Sequence, residues 1–302
     1  MVKILASDGM QADAVKALEA LGHEVTQQFY EPEELAEKVK EYNVLVVRSA
    51  TKVREPIIDA ALTTGELKLV IRGGVGIDNI DHKYAESKGI KVNNTPRASS
   101  ASVAELALAH MFSLARFVGI SNVTMKNGEW NKKKYEGTDV GGKTLGLVGM
   151  GRIAQELAKR ADALGMKVIY TDILGKIDGL PYEFVSFEQI LKDADFISLH
   201  IPAPADKKPI FGAAQFAAMK DSAFIINTAR GILIDEEALC DALDNGVIAG
   251  AGLDVYAEEP TKNQRLIEHA KVSLTPHIGG STKEAQLRIG AEIVDIITNF
   301  FK

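Results

Sequence analysis

Cysteine is nearly absent: Cys240 is the single thiol among 302 residues. One thiol cannot close an intrachain disulfide, and such usage suits a reducing compartment. Cys240 lies in the helical run Glu236–Leu243, where a packed small apolar side chain is expected and a nucleophile is not. Long hydrophobic runs are also missing, none reaching the roughly 20 residues that cross a bilayer. The apolar run within Met1–Gly9 is too short for a secretory signal and reads as a first strand. The expectation is a cytoplasmic protein with no membrane partner. Basic charge is not in excess: 35 Lys and Arg stand against 41 Asp and Glu, a formal net charge of -6. That balance argues against a broad nucleic-acid surface but leaves room for a small anionic substrate held by local cations. No low-complexity segment or short repeat interrupts the chain.

What is present is the pattern of an ordinary globular protein, 46% hydrophobic and 25% charged, long enough for two domains. Short apolar runs predict strands at Lys3–Ser7, Val44–Val47, Leu69–Arg72, Lys91–Asn93, Leu145–Val148, Lys167–Tyr170, Phe196–Leu199, Ala223–Asn227, Ala251–Asp254 and Val272–Leu274. Helical periodicity predicts helices at Ala12–Leu21, Pro32–Lys40, Pro56–Leu62, Val103–Arg116, Arg152–Ala163, Phe187–Leu191, Glu236–Asp244 and Lys283–Phe300. Strands alternating with helices imply an α/β fold with parallel sheets, in two sets on either side of about residue 100. The last helix, with apolar positions at Ala285, Leu287, Ile289, Ile293, Ile296 and Ile297, could return to cover the first set.

The most informative stretch is Gly146–Ala154. A strand ends at Val148, glycines follow at Gly149 and Gly151, a helix opens at Arg152 and Ile153, and Asp172 closes the next strand about twenty residues on. Gly149 permits a tight turn out of the strand. Gly151, lacking a Cβ, lets a pyrophosphate approach the backbone, and Ala154 lets helix and strands pack closely. N–H groups at the helix start favour phosphate. Asp172 would accept from ribose hydroxyls and repel the extra phosphate of NADP, so the expected cofactor is NAD.

Further motifs run the length of the chain: Val47-Arg48-Ser49-Ala50-Thr51-Lys52-Val53, Arg72-Gly73-Gly74-Val75-Gly76-Ile77-Asp78-Asn79, Asn94-Thr95-Pro96, Ser102-Val103-Ala104-Glu105-Leu106, Asn227-Thr228-Ala229-Arg230-Gly231, Asp254-Val255-Tyr256-Ala257-Glu258-Glu259-Pro260 and Thr275–Thr282. In this order the sequence resembles the D-isomer-specific 2-hydroxyacid dehydrogenases, in particular their phosphoglycerate branch. The resemblance implies two Rossmann-like domains, the nucleotide domain inserted into the substrate domain, with the active site in the cleft between them. The implied boundaries are residues 1–98 with 283–302 for the substrate domain and 99–282 for the NAD-binding domain.

The same resemblance implies the chemistry. Arg230, Glu259 and His277 match the family's catalytic positions. Taken singly, each has a plain structural explanation as an ion-pair or loop residue; together, inside these motifs, they point to oxidation of a secondary alcohol. An imidazole, whose unperturbed pKa lies near 6.5, suits two-way proton traffic, Glu259 would orient it, and the planar fork of Arg230 matches a carboxylate. Cofactor contacts carried over are Val75, Gly149, Gly151, Arg152, Ile153, Asp172, Ile201, Ala229, Asp254, Gly279 and Gly280, with Asp254 reaching toward the carboxamide. Val75 replaces a threonine common in phosphoglycerate relatives, and Lys207 or Lys208 stands where relatives carry a threonine. His200 reads as structural and His269 as solvated.

Substrate contacts are expected from Arg48, Lys52, Gly73, Gly74 and Arg230, on a small anionic hydroxy acid. The implied reaction is oxidation of 3-phospho-D-glycerate to 3-phosphooxypyruvate, the first step of serine synthesis. The alternatives are reduction of glyoxylate or hydroxypyruvate with the same trio, and an NAD-sensing corepressor without catalysis as its main role. A homodimer through the nucleotide domain is expected. Lys132, Lys133 and Lys134 beside Trp130 form a basic cluster near that interface in relatives, or simply a solvated face. No metal is called for. With the chain ending at Lys302, no inhibition by serine through a regulatory domain is expected.

Overall fold

The structure is a computed structural model that describes every residue from Met1 to Lys302. The chain divides into two compact units, Met1–Ser100 with Gly280–Lys302 and Ala101–Gly279.

The first unit is built on five strands, β1 (Lys3–Ala6), β2 (Glu24–Gln27), β3 (Val44–Val47), β4 (Leu69–Arg72) and β5 (Lys91–Asn94). All neighbours pair parallel, in the order β2-β1-β3-β4-β5. The central strands are apolar on both faces because helices cover both. On one face, α2 (Pro32–Lys38), α3 (Glu55–Leu62) and α4 (His82–Ser87) bury Leu35, Ile57, Ile58 and Ala85 against Leu5, Leu45 and Val70. On the other, α1 (Ala12–Ala20) and the last helix, α12 (Lys283–Phe300), bury Leu18, Ile289, Ile293 and Ile297 against Ile4, Val44, Val46, Leu69 and Ile71. Thr282 caps α12, its side chain accepting from the Ala285 N–H. Strand order reverses between β1 and β3, so Ser7 and Arg48 stand at a topological switch point, the place where open α/β sheets take ligands.

The second unit opens with α5 (Ser100–Ala115) and α6 (Val118–Lys126), then carries seven strands: β6 (Thr144–Val148), β7 (Lys167–Thr171), β8 (Glu183–Phe184), β9 (Phe196–Leu199), β10 (Phe224–Asn227), β11 (Gly250–Leu253) and β12 (Val272–Leu274). Intervening helices are α7 (Arg152–Ala163), α8 (Phe187–Asp193), α9 (Ala213–Ala217), α10 (Glu236–Asp244) and α11 (Gln264–Ile267). The order is β12-β11-β10-β9-β6-β7-β8, again wholly parallel. It reverses between β6 and β9, the doubly wound arrangement that places a dinucleotide across the ends of those strands. Helix α5 is apolar because Ala104, Ala107, Met111 and Leu114 lie buried against Leu145, Leu147 and Ile226. No single helix is long and apolar enough to cross a membrane.

Ten strands fall where apolar runs predict them; β2 and β8 do not. Both are edge strands, and their residues are intermediate or exposed, so neither carries an apolar run. The short helices α4, α6, α9 and α11 are likewise illegible in the sequence. In α12, Leu287 departs from the periodic reading: it is 49% exposed while Ile297 is fully buried. Ile297→Ala should therefore destabilise the protein by about 2–5 kcal/mol, and Leu287→Ala by less than about 0.5 kcal/mol, in denaturant titrations of the two variants.

Candidate active site

The glycine turn after β6 has the geometry a dinucleotide needs. Gly149 adopts φ 88, a left-handed conformation, and a Cβ there would lie 2.7 Å from the His200 carbonyl oxygen at the end of β9. At Gly151, the N-cap of α7, nothing lies within 4 Å of where a Cβ would stand, and no side chain caps the helix. The first N–H groups of a twelve-residue helix thus face open space beside backbone that a pyrophosphate could touch. Asp172 follows β7; its Oδ2 accepts from the Met150 N–H at 2.8 Å and its Oδ1 from the Leu174 N–H at 2.9 Å. The carboxylate therefore stands beside the glycine turn and shapes it. Arg152 and Ile153 open α7, and Ile201, partly buried, follows β9 with its Cγ2 2.6 Å from the Gly149 Cβ position. These residues fit a bound NAD.

Arg230, Glu259 and His277 follow β10, β11 and β12, three neighbouring strands of one sheet. His277 Nδ1 and Glu259 Oε2 are 2.7 Å apart, with the two side chains 41% and 38% exposed. An ionised carboxylate can only accept, so Nδ1 carries the proton and Nε2 is the unprotonated nitrogen of the neutral ring. Glu259 Oε1 also accepts from the Tyr256 N–H at 3.2 Å, which holds the carboxylate from its own loop. His277 sits at φ 53, a left-handed conformation that costs an L-residue about 1–2 kcal/mol. Such a residue persists only where its surroundings fix it. Tyr256 helps: its hydroxyl donates to the Thr275 carbonyl at 2.8 Å, and burial pushes its pKa up to about 12, so the donor stays protonated.

The Arg230 turn is set by Asn227, a fully buried side chain whose Nδ2 donates to the Arg230 carbonyl at 2.8 Å and whose Oδ1 accepts from the Ala229 N–H at 3.0 Å. A Cβ on Gly231 would overlap the Tyr256 carbonyl and the Ala257 N. The loops bearing Arg230 and Glu259 thus touch backbone to backbone. Asp254, 1% exposed, has both carboxylate oxygens engaged inside the chain, with Thr275 Oγ1, the Ile278 N–H and the Gly279 N–H. Asp254 thereby clamps the His277 loop.

In the first unit, the loop after β3 is held by Asp8 and Asn79. Asp8 accepts from the Arg48 N–H at 2.6 Å and from both N–H and hydroxyl of Thr51, while Asn79 Nδ2 donates to the Arg48 and Thr51 carbonyls. Lys52 is exposed beside it. The Arg48 Cγ lies 3.7 Å from where a Gly73 Cβ would stand, and the Arg72 guanidinium occupies the space a Gly74 side chain would fill. Arg72 is not among the residues expected at the site from the sequence; its position as the last residue of β4, directly before two buried glycines, is the signal that could have found it. The Val75 carbonyl accepts from Asn94 Nδ2, and Gly280 lies over Ser99.

Other sequence expectations divide. Cys240 is fully buried in the core of the second unit, and burial pushes its thiol pKa up. His200 bonds Ser198 Oγ through Nε2, and removal from solvent pushes its pKa down to about 4, consistent with a neutral structural ring. His269 is not solvated: its side chain is only 13% exposed and meets Asp244 at 3.3 Å, because α10 packs over it. Lys132–Lys134 form an exposed 3-10 turn beside Trp130, which is 78% exposed.

Comparison with known proteins agrees with this geometry. Residues 108–279 match the family model for the D-isomer specific 2-hydroxyacid dehydrogenase, NAD binding domain. The chain is 47% identical over 277 residues to a hydroxypyruvate reductase of Thermotoga maritima, covering 91% of this chain and 90% of that protein. It is 45% identical over 301 residues to a D-3-phosphoglycerate dehydrogenase of Methanocaldococcus jannaschii, covering 98% of this chain but only 57% of that longer protein. Among solved structures, a glyoxylate reductase from Paecilomyes thermophila superposes with a TM-score of 0.87 at 32% identity, covering 97% of this chain and 93% of the other. With its two parallel sheets, its dinucleotide turn and these relatives, the chain belongs to the NAD-dependent D-isomer-specific 2-hydroxyacid dehydrogenases.

Proposed function

We propose that this enzyme oxidises 3-phospho-D-glycerate to 3-phosphooxypyruvate, with His277 as the acid/base. The observation that carries the acid/base assignment is the 2.7 Å contact between His277 Nδ1 and Glu259. Bound NAD would accept hydride from the substrate carbon. His277 Nε2 takes the hydroxyl proton in oxidation and returns it in reduction. Glu259 keeps the ring in the tautomer that leaves Nε2 basic and stabilises the imidazolium that forms. Arg230 offers a guanidinium to the substrate carboxylate, which fixes the neighbouring carbon and polarises its bond to oxygen.

The phosphorylated substrate is favoured by the first unit. Arg48 and Arg72 flank Gly73 and Gly74 at strand ends, Lys52 is exposed in the same loop, and Asp8 and Asn79 hold that loop by its backbone. Two guanidiniums and an ammonium suit a dianionic phosphate better than a plain hydroxyl. A second reading, reduction of hydroxypyruvate, is favoured by the Thermotoga maritima relative, a hydroxypyruvate reductase matched over 90% of its length. Both readings use the same trio and differ in the direction of hydride transfer and in whether Arg48 and its neighbours meet a phosphate or a hydroxyl.

Steady-state rates on 3-phosphoglycerate, hydroxypyruvate and glyoxylate decide between them. Arg48→Gln should lower kcat/KM for the phosphorylated substrate about 10- to 100-fold and spare the other two; an equal loss on all three would remove the phosphate role. His277→Gln should lower kcat about 10²- to 10⁴-fold on every substrate, and a variant that retains full turnover would remove the acid/base assignment. Asp172 should make NADH bind more tightly than NADPH. In fluorescence titrations Asp172→Ser should narrow that gap, and unchanged selectivity would place discrimination elsewhere.

A further inference from the structure

His110 lies in the middle of α5, 2% exposed, and no role for it follows from the sequence motifs. Its ring makes two hydrogen bonds, Nδ1 with Ser273 Oγ at 2.9 Å and Nε2 with Thr275 Oγ1 at 3.0 Å. Thr275 Oγ1 in turn donates to Asp254 Oδ1 at 2.7 Å. A hydroxyl has one proton. With that proton on Asp254, Thr275 can only accept from His110, so Nε2 carries the ring proton and Nδ1 accepts from Ser273. Burial pushes the pKa of His110 down, the nearby Asp254 opposing it, which keeps the ring in this neutral tautomer. The result is a one-way chain of donors: Ser273 to His110, His110 to Thr275, Thr275 to Asp254.

Asp254 is where this chain meets the reactive loop. It holds the Thr275 hydroxyl on one side of His277 and the Ile278 and Gly279 N–H groups, each at 2.8 Å, on the other. His277 itself stands between these anchors in a left-handed conformation. Its imidazole can meet Glu259 only while the backbone on either side stays in place.

We propose that His110 is a positioning residue for proton transfer at His277: it locks the Thr275 hydroxyl onto Asp254 and thereby fixes the loop on which His277 meets Glu259. A purely space-filling histidine is the competing account, since His110 packs closely on β11, where a Cβ on Gly252 would lie 2.7 Å from the His110 Cβ. Packing alone would be met by a leucine. It would not require the two hydroxyls of Ser273 and Thr275 to converge on the two ring nitrogens.

The inference rests on His277 being the acid/base, and the test separates the two. Kinetic constants are measured for His110→Leu, Thr275→Val, their double variant, Thr275→Ser and His277→Gln, in the full-length enzyme with NAD and the hydroxy acid that turns over fastest. His110→Leu and Thr275→Val should each lower kcat about tenfold or more, with KM for the hydroxy acid within about threefold, because a transition-state arrangement is lost while substrate contacts remain. Thr275→Ser, which keeps the hydroxyl, should stay within about twofold of the parent enzyme. The double variant should be no worse than the poorer single variant, since both break one chain. Near-parental kcat in His110→Leu and Thr275→Val beside a disabled His277→Gln overturns the positioning role and leaves the acid/base assignment standing. A raised KM with unchanged kcat overturns it as well. Full activity in His277→Gln overturns the underlying assignment instead. Should His110→Leu fail to fold, the contrast between Thr275→Val and Thr275→Ser decides alone.

Discussion

Strand direction is the constraint on which the rest depends. Each sheet is wholly parallel, so all C-terminal strand ends of a unit emerge at one edge. The residues proposed for the chemistry follow those ends one after another. Asp8, Arg48 and Gly73 succeed β1, β3 and β4; Gly149, Asp172, Ile201, Arg230, Asp254 and His277 succeed β6, β7, β9, β10, β11 and β12. Helices on both faces make this possible by burying the strands and leaving only loops free to vary.

Loops at such an edge have no ladder to hold them, and polar side chains take its place. Asp8 and Asn79 fix the Arg48 loop, Asn227 the Arg230 turn, Asp172 the glycine turn, and Asp254 the His277 loop. In each case polar atoms meet backbone N–H or C=O groups, which would be costly to bury unmet, and Asp8 and Asp254 also take a threonine hydroxyl. Side-chain identity at these positions therefore reflects loop geometry as much as contact with a ligand.

This division explains what is legible in the sequence. Central strands such as Val44–Val47 and Phe196–Leu199 are legible because burial on both faces demands unbroken apolar runs. Glu24–Gln27 and Glu183–Phe184 are not, being edges with little to bury. The glycine turn is legible because its backbone geometry restricts residue type, and the pairing of His277 with Glu259 is a contact between two motifs that stand out in the sequence. Arg72 and His110 escape notice because their significance lies in what sits beside them. Arg72 gains meaning from the glycines it overlies, and His110 from hydroxyls 163 and 165 residues away in the chain. Leu287 misleads for the converse reason: an apolar residue at a helical spacing that falls just off the buried stripe.

The burial of Cys240 has a practical side. The only thiol is enclosed in the core and held toward its unreactive protonated form, so the exterior presents no competing thiol. A cysteine introduced at any exposed position becomes a unique attachment point for a fluorophore or spin label. Motions of individual loops can then be followed in an otherwise unaltered chain.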